Sequence, residues 1–323
     1  MYDRLDQIVN IDYNKRSIHH LYDASRALVK IPLTEKAAEI IQELPENRFV
    51  FFSTGSVTRS WVTPTIGETD GPPGTAILAR VIREYRGAIP IILTEESLVK
   101  ATIPILKAAG LAVVTPEQAL AAQQYHEKGY TSVACILPFP TEDHEADEVS
   151  SQLINQFNPA AVISIEKAGK GEKGTYHNMR GHDYSSGRAR IDYLINKAMD
   201  NNIPTIAIGD GGNEIGMGNV LEAVEEFVPH GKTIASVTKV DLLLTASVSN
   251  WGCYAVCAAL ALKNKNLNYL HNEADERRML DAAILSGHVD GATGKAEATV
   301  DGFPLSTNIA IIEMLNSVVK KEV

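Results

Sequence analysis

The stretch Ile203–Gly209, with the sequence IPTIAIG, decides the class of fold. It is apolar almost throughout and does not alternate with polar residues, which is typical of a strand buried on both faces of a parallel sheet. Most of six other runs have the same character: Arg48–Ser53, Ile89–Thr94, Leu111–Thr115, Ser132–Leu137, Ala161–Glu166 and Asp241–Ala246. The sequence therefore predicts a mostly parallel sheet.

Helical segments fit around these strands. Residues 1 to about 47 have a mainly helical pattern, and further helices are predicted at Gly74–Tyr85, Glu95–Ala109, Ser186–Asn201, Asn250–Lys263, Glu273–Ser286 and Leu305–Lys320. The alternation predicts an α/β protein with a doubly wound, mostly parallel sheet and helices on both faces. We further expect two lobes around one cleft: residues 1–150, an α/β lobe with the helical N-terminal segment, and residues 151–323, an α/β lobe with most site loops.

The composition limits the partners and the location of the protein. The 323 residues carry a formal net charge of −10, which argues against nucleic acid or an anionic membrane as the main partner. The chain has only three cysteines, and a small, odd number of cysteines does not indicate a disulfide framework. A charged N-terminus, and apolar runs that end well before the ~18 residues needed to span a bilayer, predict a cytoplasmic protein. The apolar helix Asn250–Leu262 fits either the core or the interface of a homo-oligomer.

Loops that follow the strands are the candidates for the functional site, because open parallel sheets bind ligands beyond the carboxyl ends of their strands. The loop Ser53–Gly74 is long and rich in hydroxyl groups such as that of Thr54, and Glu68 and Asp70 come just before its helix. Long loops in compact domains are usually functional or disordered, which favours a substrate-binding role for Glu68. For Asp70, substrate binding and helix capping are equally good interpretations.

The loop Ile165–Arg190 interleaves five glycines with charged and aromatic residues. This pattern favours a ligand site over a solvated charge run, because glycine lets the backbone approach a ligand and basic side chains bind carboxylates. Its candidates are Glu166, Lys167, Lys170, His177, Asn178, Arg180 and Asp183. His177 and His182 are each more typical of hydrogen-bonded loop residues than of metal ligands. Gly169–Thr175 resembles a phosphate-binding loop but lacks the lysine that such a loop has between its last glycine and the threonine. No nucleotide cofactor is therefore expected.

The glycine-rich loop Gly209–Asn219 has the sequence GDGGNEIGMGN. Asp210 and Glu214 suit a hard divalent cation, Mg²⁺ or Mn²⁺. The alternative is that these acids complement the N-terminus of a helix. The residues between them are candidate substrate contacts: Gly211, Gly212 and Asn213.

Two later segments are polar as well. In Thr245–Ala255, Ser249 and Asn250 are either helix caps or polar contacts to a ligand. The segment Ser286–Gly302 is rich in glycine, and turn chemistry explains most of it, although a lid or a hairpin edge fits too.

Four motifs together resemble the D-glutamate cyclase family. They are ETDGPPG at Glu68–Gly74, IEKAGKGEKGTYHNMRGHD at Ile165–Asp183, GDGGNEIGMGN at Gly209–Asn219 and SNWGCYA at Ser249–Ala255. The resemblance runs from about Asn10 to the end of the chain. It implies a stand-alone, bacterial, cytoplasmic form of a domain that ends a larger mitochondrial protein in animals. The implied activity is that of a lyase, a hydro-lyase that cyclises the amino acid D-glutamate to 5-oxo-D-proline with loss of water.

This activity requires a base, a proton donor, groups that bind carboxylates and a means of neutralising the γ-carboxylate. We expect Glu166 or Asp183 to be the base and His177 the proton donor. The carboxylate-binding candidates are Lys167, Lys170 and Arg180, and a divalent cation on Asp210 and Glu214 would polarise the γ-carboxylate. Two other classes stay open: a metal-dependent amidohydrolase or phosphotransferase, and a non-catalytic amino-acid binding protein.

Overall fold

The structure, a computed structural model, describes residues 1–323 apart from the side chain of His126. The strands are β1 (Phe49–Ser53), β2 (Gly67–Glu68), β3 (Ile89–Thr94), β4 (Ala112–Val113), β5 (Val133–Pro138), β6 (Val162–Ile165), β7 (Thr205–Gly209), β8 (Leu242–Thr245), β9 (His288–Val289), β10 (Thr299–Val300) and β11 (Phe303–Pro304). The α-helices are α1 (Tyr2–Val9), α2 (Ile18–Val29), α3 (Leu33–Glu43), α4 (Pro72–Arg86), α5 (Glu96–Ala108), α6 (Pro116–Gln124), α7 (Asp143–Phe157), α8 (Asp192–Asp200), α9 (Leu221–Phe227), α10 (Gly231–Ile234), α11 (Ser249–Asn264), α12 (Glu273–Leu285) and α13 (Leu305–Lys320). Short 3-10 helices span His126–Lys128, Met217–Val220 and Leu267–Tyr269.

Seven strands form one sheet in the order β4-β5-β3-β1-β6-β7-β8, and every pairing in it is parallel. These are the seven strands that the sequence predicts. The chain starts near the middle of the sheet at β1, builds outward to one edge, and returns to continue from β6 in the other direction. Neighbouring strands β1 and β6 therefore form a topological switch point, where the following loops diverge and leave a crevice for a ligand.

Helices cover both faces of this sheet, as predicted for a doubly wound fold. Successive residues of β1 show why: Phe51 and Phe52 are both fully buried, and they belong to hydrophobic clusters on opposite faces. One cluster includes residues of α1, α3, α4, α11 and α13, and the other includes residues of α2, α7 and α8. Among the helices of the described chain, none is both long and apolar enough to cross a bilayer.

The predicted helix Ser186–Asn201 is wrong at its start, because α8 begins only at Asp192. Tertiary contacts hold the preceding residues in an extended loop. The backbone N–H of Ala189 donates to Glu95, 3.1 Å away, and Arg188 is buried against the wall of the site described below. The local pattern is helical, but these long-range contacts override it.

The predicted boundary near residue 150 falls within α7. Strands from either side of it, β1 and β6, pair directly in the central sheet. The assignment of residues 1–150 and 151–323 to two lobes stays a prediction.

A small C-terminal arm packs beside the sheet. Its strand β9 pairs in parallel with β2, and β10 and β11 form an antiparallel hairpin. Asp301, between the two hairpin strands, adopts a left-handed conformation with φ 53°. The arm thus connects the loop that carries Glu68 to a hairpin whose tip carries a second carboxylate.

Acid should destabilise this arm through His288. The imidazole is fully buried, with Nδ1 3.2 Å from the carbonyl oxygen of Ala283, and burial lowers the pKa of His288 to about 4. Between pH 6.5 and pH 4 the unfolded chain therefore binds more protons at this residue than the folded protein does. We expect this residue to cost up to about 3 kcal/mol of folding free energy as the pH falls through that window.

Urea unfolding of the wild type and of His288→Asn at pH 7, 5.5 and 4.5 measures this effect. The difference in unfolding free energy between the two proteins should shrink as the pH falls. The exposed His144→Asn is the matched control. A difference that is independent of pH would contradict the prediction.

Candidate active site

Acidic side chains gather at the carboxyl edge of the central sheet. Glu166 follows β6 directly, and Asp210 follows β7. Both line a cavity of about 1070 Å³ at the switch point. The cavity has four further acids in its wall: Glu68, Asp183, Glu214 and Asp301.

Three carboxylates form the densest part of this site. Asp70, Glu166 and Asp210 each offer an oxygen within 4.8 Å of the other two. Asp70 and Asp210 are 1% exposed. Because like charges at this separation repel strongly in a buried setting, the arrangement calls for a cation or for bound protons.

Asp70 is held by the N-terminus of α11. Its carboxylate accepts hydrogen bonds from the backbone N–H groups of Ser249 at 2.9 Å, Asn250 at 2.8 Å and Gly71 at 2.9 Å. In return, the Oδ1 atom of Asn250 accepts from the N–H groups of Gly71 and Gly74 at the start of α4. The N-terminus of α11 is therefore capped by Asp70, which precedes α4, and the N-terminus of α4 is capped by Asn250 of α11, so that Asp70 is held rigidly. Ser249 and Asn250 were predicted as caps of their own helix or as ligand contacts, and the cap for α11 comes instead from Asp70.

The approach of α4 to β6 requires a glycine. Gly71 has φ 96°, and a Cβ atom there would lie 2.9 Å from Thr54 Oγ1 and 3.0 Å from Glu166 Cβ. The Oγ1 atom of Thr54 is buried and has no hydrogen-bond partner among the described residues. This hydroxyl is therefore a polar group in need of a ligand.

Glu166 adopts a left-handed conformation, with φ 50°. Its Oε2 atom accepts a 2.6 Å hydrogen bond from Ser249 Oγ. Burial, followed by the charges of Glu214 and Asp70, raises the pKa of Glu166 well above its ordinary value. Backbone strain at a buried carboxylate is typical of a functional position.

Glu68 lies beside these three acids. Burial, together with the charges of Asp301 and Asp70, raises the pKa of Glu68 to about 8. The pKa of Asp70 is raised to about 8 as well, by burial and by Asp301, despite the three N–H groups that favour its ionised form. The site is therefore poised to exchange protons or to bind a cation near neutral pH.

An arginine that the sequence analysis did not single out reaches into this cluster. The Nη1 atom of Arg16 lies 2.7 Å from Asp210 Oδ2 and 2.7 Å from Asp301 Oδ2. Burial raises the pKa of Asp210 well above its ordinary value, and the charge of Arg16 opposes this shift. Arg16 was missed because it lies in the predicted helical N-terminal region, and Asp301 because turn chemistry explained its segment.

Glu214 has a different task from that of Asp210. Its two carboxylate oxygens accept the N–H groups of Gly211 at 2.9 Å and Gly212 at 2.7 Å, so this acid organises its own loop. Asn213 also serves the loops, since its Nδ2 atom donates to the carbonyl oxygen of His177 at 3.0 Å. The structure thus places Asp210 in the carboxylate group without Glu214, whose role as a metal ligand stays a prediction.

Lys167 turns away from the cavity into a buried ion pair. Its Nζ atom lies 2.7 Å from both carboxylate oxygens of Glu95 and 2.8 Å from the carbonyl oxygen of Gly55. Lys167 and Glu95 are 2% and 1% exposed. The lysine is therefore engaged within the protein, and its ion pair holds the backbone in place directly after Glu166.

Replacing this lysine should destabilise the fold strongly. In Lys167→Met the carboxylate of Glu95 would stay buried without its cation, and we expect the unfolding free energy to fall by about 3–5 kcal/mol. Urea denaturation followed by circular dichroism measures the loss. The exposed Lys100→Met is the matched control, and Lys167→Met combined with Glu95→Leu should recover part of the stability. Equal stability of both single variants would contradict the prediction.

The rest of the long polar loop forms the outer rim. Asn178, Arg180, His182 and Asp183 line the cavity mouth. Asp183 is exposed and accepts hydrogen bonds from Ser185, and Lys170 binds Asp143 at 2.7 Å and Tyr193 at 3.1 Å. His177 is half-buried and its Nδ1 atom has no partner among the described residues. Of the three predicted catalytic residues, the structure brings only Glu166 into the acidic cluster, and roles for His177 and Asp183 stay predictions.

The donor set fits a hard cation. Carboxylate and hydroxyl oxygens are the ligands that Mg²⁺ and Mn²⁺ prefer. Asp70, Glu166 and Asp210 supply such oxygens within one small volume, and the unpartnered hydroxyl of Thr54 is close by. These residues could hold a divalent metal ion.

The fold and the site define an α/β protein with an acidic cavity at the switch point of a parallel sheet. Comparison with known families is more specific. The model of the family "D-glutamate cyclase-like, C-terminal" matches residues 5–316, and the chain belongs to that family, as its motifs predicted.

A human relative carries the name "D-glutamate cyclase, mitochondrial". It is 28% identical to this chain over an alignment 365 residues long, which covers 99% of this chain and 52% of the human protein. The chain thus spans about half the length of that relative.

Proposed function

We propose that the protein is a hydro-lyase that cyclises D-glutamate to 5-oxo-D-proline with loss of water. Family membership and the name of the human relative support the substrate. The observation that carries the proposal is the group of three carboxylates, Asp70, Glu166 and Asp210, at the edge of a cavity large enough for an amino acid.

The reaction forms one bond and breaks another within a single molecule. The α-nitrogen attacks the γ-carbon, a C–N bond forms, and one C–O bond of the γ-carboxylate breaks. The two protons lost by the ammonium group leave with that oxygen as water. A cavity that folds the substrate into a ring-like pose provides much of the advantage, because the reacting groups are then held together before reaction.

The acidic cluster would bind the α-ammonium group and the cation. Asp70, Glu166 and Asp210 would hold a divalent ion, Mg²⁺ or Mn²⁺, which when bound would neutralise and polarise the γ-carboxylate. In this arrangement Glu166 serves as a ligand and not as the base.

Glu68 is the best-placed group for proton transfer. It lines the cavity next to the three carboxylates without belonging to them. His177, the donor predicted from sequence, is not among the residues that line the cavity. We therefore assign to Glu68 the transfer of a proton from the ammonium group to the departing oxygen.

A proton NMR time course tests the proposed reaction. The purified protein is incubated with D-glutamate and MgCl₂, with L-glutamate or EDTA in parallel samples. We expect signals of 5-oxoproline from the D-isomer and their loss in EDTA. Release of ammonia or phosphate chemistry without a lactam would favour the hydrolase or phosphotransferase class, and saturable binding without turnover would favour a binding protein.

A further inference from the structure

We propose that Arg16 binds the α-carboxylate of the substrate and thereby selects amino acids over simple amines. The inference rests on the proposed function, since it names the group that recognises one end of the same substrate. Of the three basic residues predicted for this task, Lys167 and Lys170 are engaged elsewhere in the protein, and Arg180 lies exposed at the cavity mouth.

The guanidinium of Arg16 has one occupied nitrogen and one open edge. Its hydrogen bonds to Asp210 and Asp301 both come from Nη1. Among the described residues, no hydrogen-bond partner is found for its Nε and Nη2 atoms. Arg16 lines the cavity, and its side chain is 22% exposed. The Nε–Nη2 edge has the geometry that binds a carboxylate through two parallel hydrogen bonds.

Two other arginines of the cavity wall are already engaged, and a third, Arg180, is exposed at the cavity mouth with no ion pair to the acidic cluster among the described residues. Arg188 donates from Nε to the carbonyl oxygen of Tyr184 and from Nη1 to Ser56 Oγ. Arg59 donates from its two terminal nitrogens to Thr58 Oγ1 and to the carbonyl oxygen of Gly291. Arg16 is thus the arginine that combines an open edge with contact to the acidic cluster.

The acidic cluster makes such a cation necessary. An anionic substrate group would be repelled by Asp210 and Asp301, and Arg16 lies between the two. A carboxylate placed on the open edge of Arg16 would be held beside acids that attract the neighbouring ammonium group. This polarity matches the α-carbon of an amino acid, which carries both charges.

The backbone presents Arg16 at a strained turn. Lys15 and Ser17 on either side are both left-handed, with φ 53° and 66°. Asp12 fixes the turn, because its carboxylate accepts the N–H of Arg16 at 2.9 Å and that of Ser17 at 3.1 Å. Such strain in residues other than glycine clusters at sites that position a functional group.

Two ligands that differ by one carboxylate test the inference. D-Glutamate and 4-aminobutanoate share the amine and the distal carboxylate, but only the former has an α-carboxylate. Their affinities are measured by calorimetry in MgCl₂ for the wild type, Arg16→Gln and Arg16→Lys. We expect Arg16→Gln to lower the affinity for D-glutamate at least about tenfold and to keep the affinity for 4-aminobutanoate within threefold of the wild type. The affinity of Arg16→Lys for D-glutamate should lie between those of the wild type and Arg16→Gln.

The surface variant Arg26→Gln, in the same N-terminal region, is the matched control and should bind both ligands as the wild type does. Equal weakening of both ligands by Arg16→Gln would indicate a structural role and overturn the proposal, and so would unchanged affinity for D-glutamate. Arg16-dependent binding without lactam formation would reject only the proposed reaction. Failure of the wild type to bind D-glutamate would overturn both.

Discussion

Replacing Glu68 by glutamine should lower kcat for D-glutamate about 10²–10⁴-fold while KM changes little. Glutamine preserves the shape of the side chain but cannot carry a proton from the ammonium group to the departing oxygen, and general acid–base catalysis contributes an effect of this size. Steady-state rates of 5-oxoproline formation measure it.

The same variant should not lose stability. The pKa of Glu68 is raised mainly by burial and by the charges of Asp301 and Asp70, so a neutral side chain removes an unfavourable charge from the cluster. The advantage of the variant in urea unfolding should therefore grow as the pH rises from about 4.5 to about 8 and should be complete above about pH 8. A less stable Glu68→Gln would mean that lost turnover reflects misfolding.

A matched substitution separates the role of Glu68 from a general effect of charge. Glu172 is an exposed acid of the long polar loop, and Glu172→Gln should keep wild-type kcat. Turnover by Glu68→Gln within a factor of three of that control would remove Glu68 from the mechanism.

The fold could be predicted because its signals are local. Each strand of the main sheet is a short apolar run, and each run is bounded by loops or helices that periodicity reveals. The error at α8 has a physical cause, since the contact of Ala189 with Glu95 joins residues 94 positions apart. A pattern within a short window cannot contain such a contact.

The candidate site could be located from sequence but only partly assembled. The rule that ligands bind at the carboxyl ends of parallel strands pointed to the loops with Asp70, Glu166 and Asp210, and the structure brings these three carboxylates together. Their partners were hidden, because Arg16 and Asp301 are 285 positions apart and meet only in the folded chain. Lys167 shows the converse. In the sequence it looks like a ligand contact, but in the folded chain it pairs with Glu95 and stabilises the fold.

The substitution Asp210→Asn should abolish most cation binding, whereas Glu214→Gln should not. The sequence pairs Asp210 with Glu214 as metal ligands, but the structure groups Asp210 with Asp70 and Glu166 and gives both oxygens of Glu214 to the backbone of its loop. Substitutions outside the ligand shell of a metal typically cost 10–100-fold in affinity, so loss of a charged ligand should cost at least about a hundredfold.

Titration with Mn²⁺ followed by electron paramagnetic resonance measures free and bound ion directly, without reliance on turnover. We expect the affinity to fall in the order wild type, Glu214→Gln, Asp210→Asn, with the exposed Glu222→Gln matching the wild type. Arg16 can still donate to an asparagine at position 210, so the loss in Asp210→Asn should reflect the missing charge more than a displaced turn. If Glu214→Gln lost as much affinity as Asp210→Asn, the ligands would be the pair expected from sequence. If neither variant differed from the wild type, the buried carboxylates would be balanced by Arg16 and by protons, and the γ-carboxylate of the substrate would have to be neutralised by the protein alone.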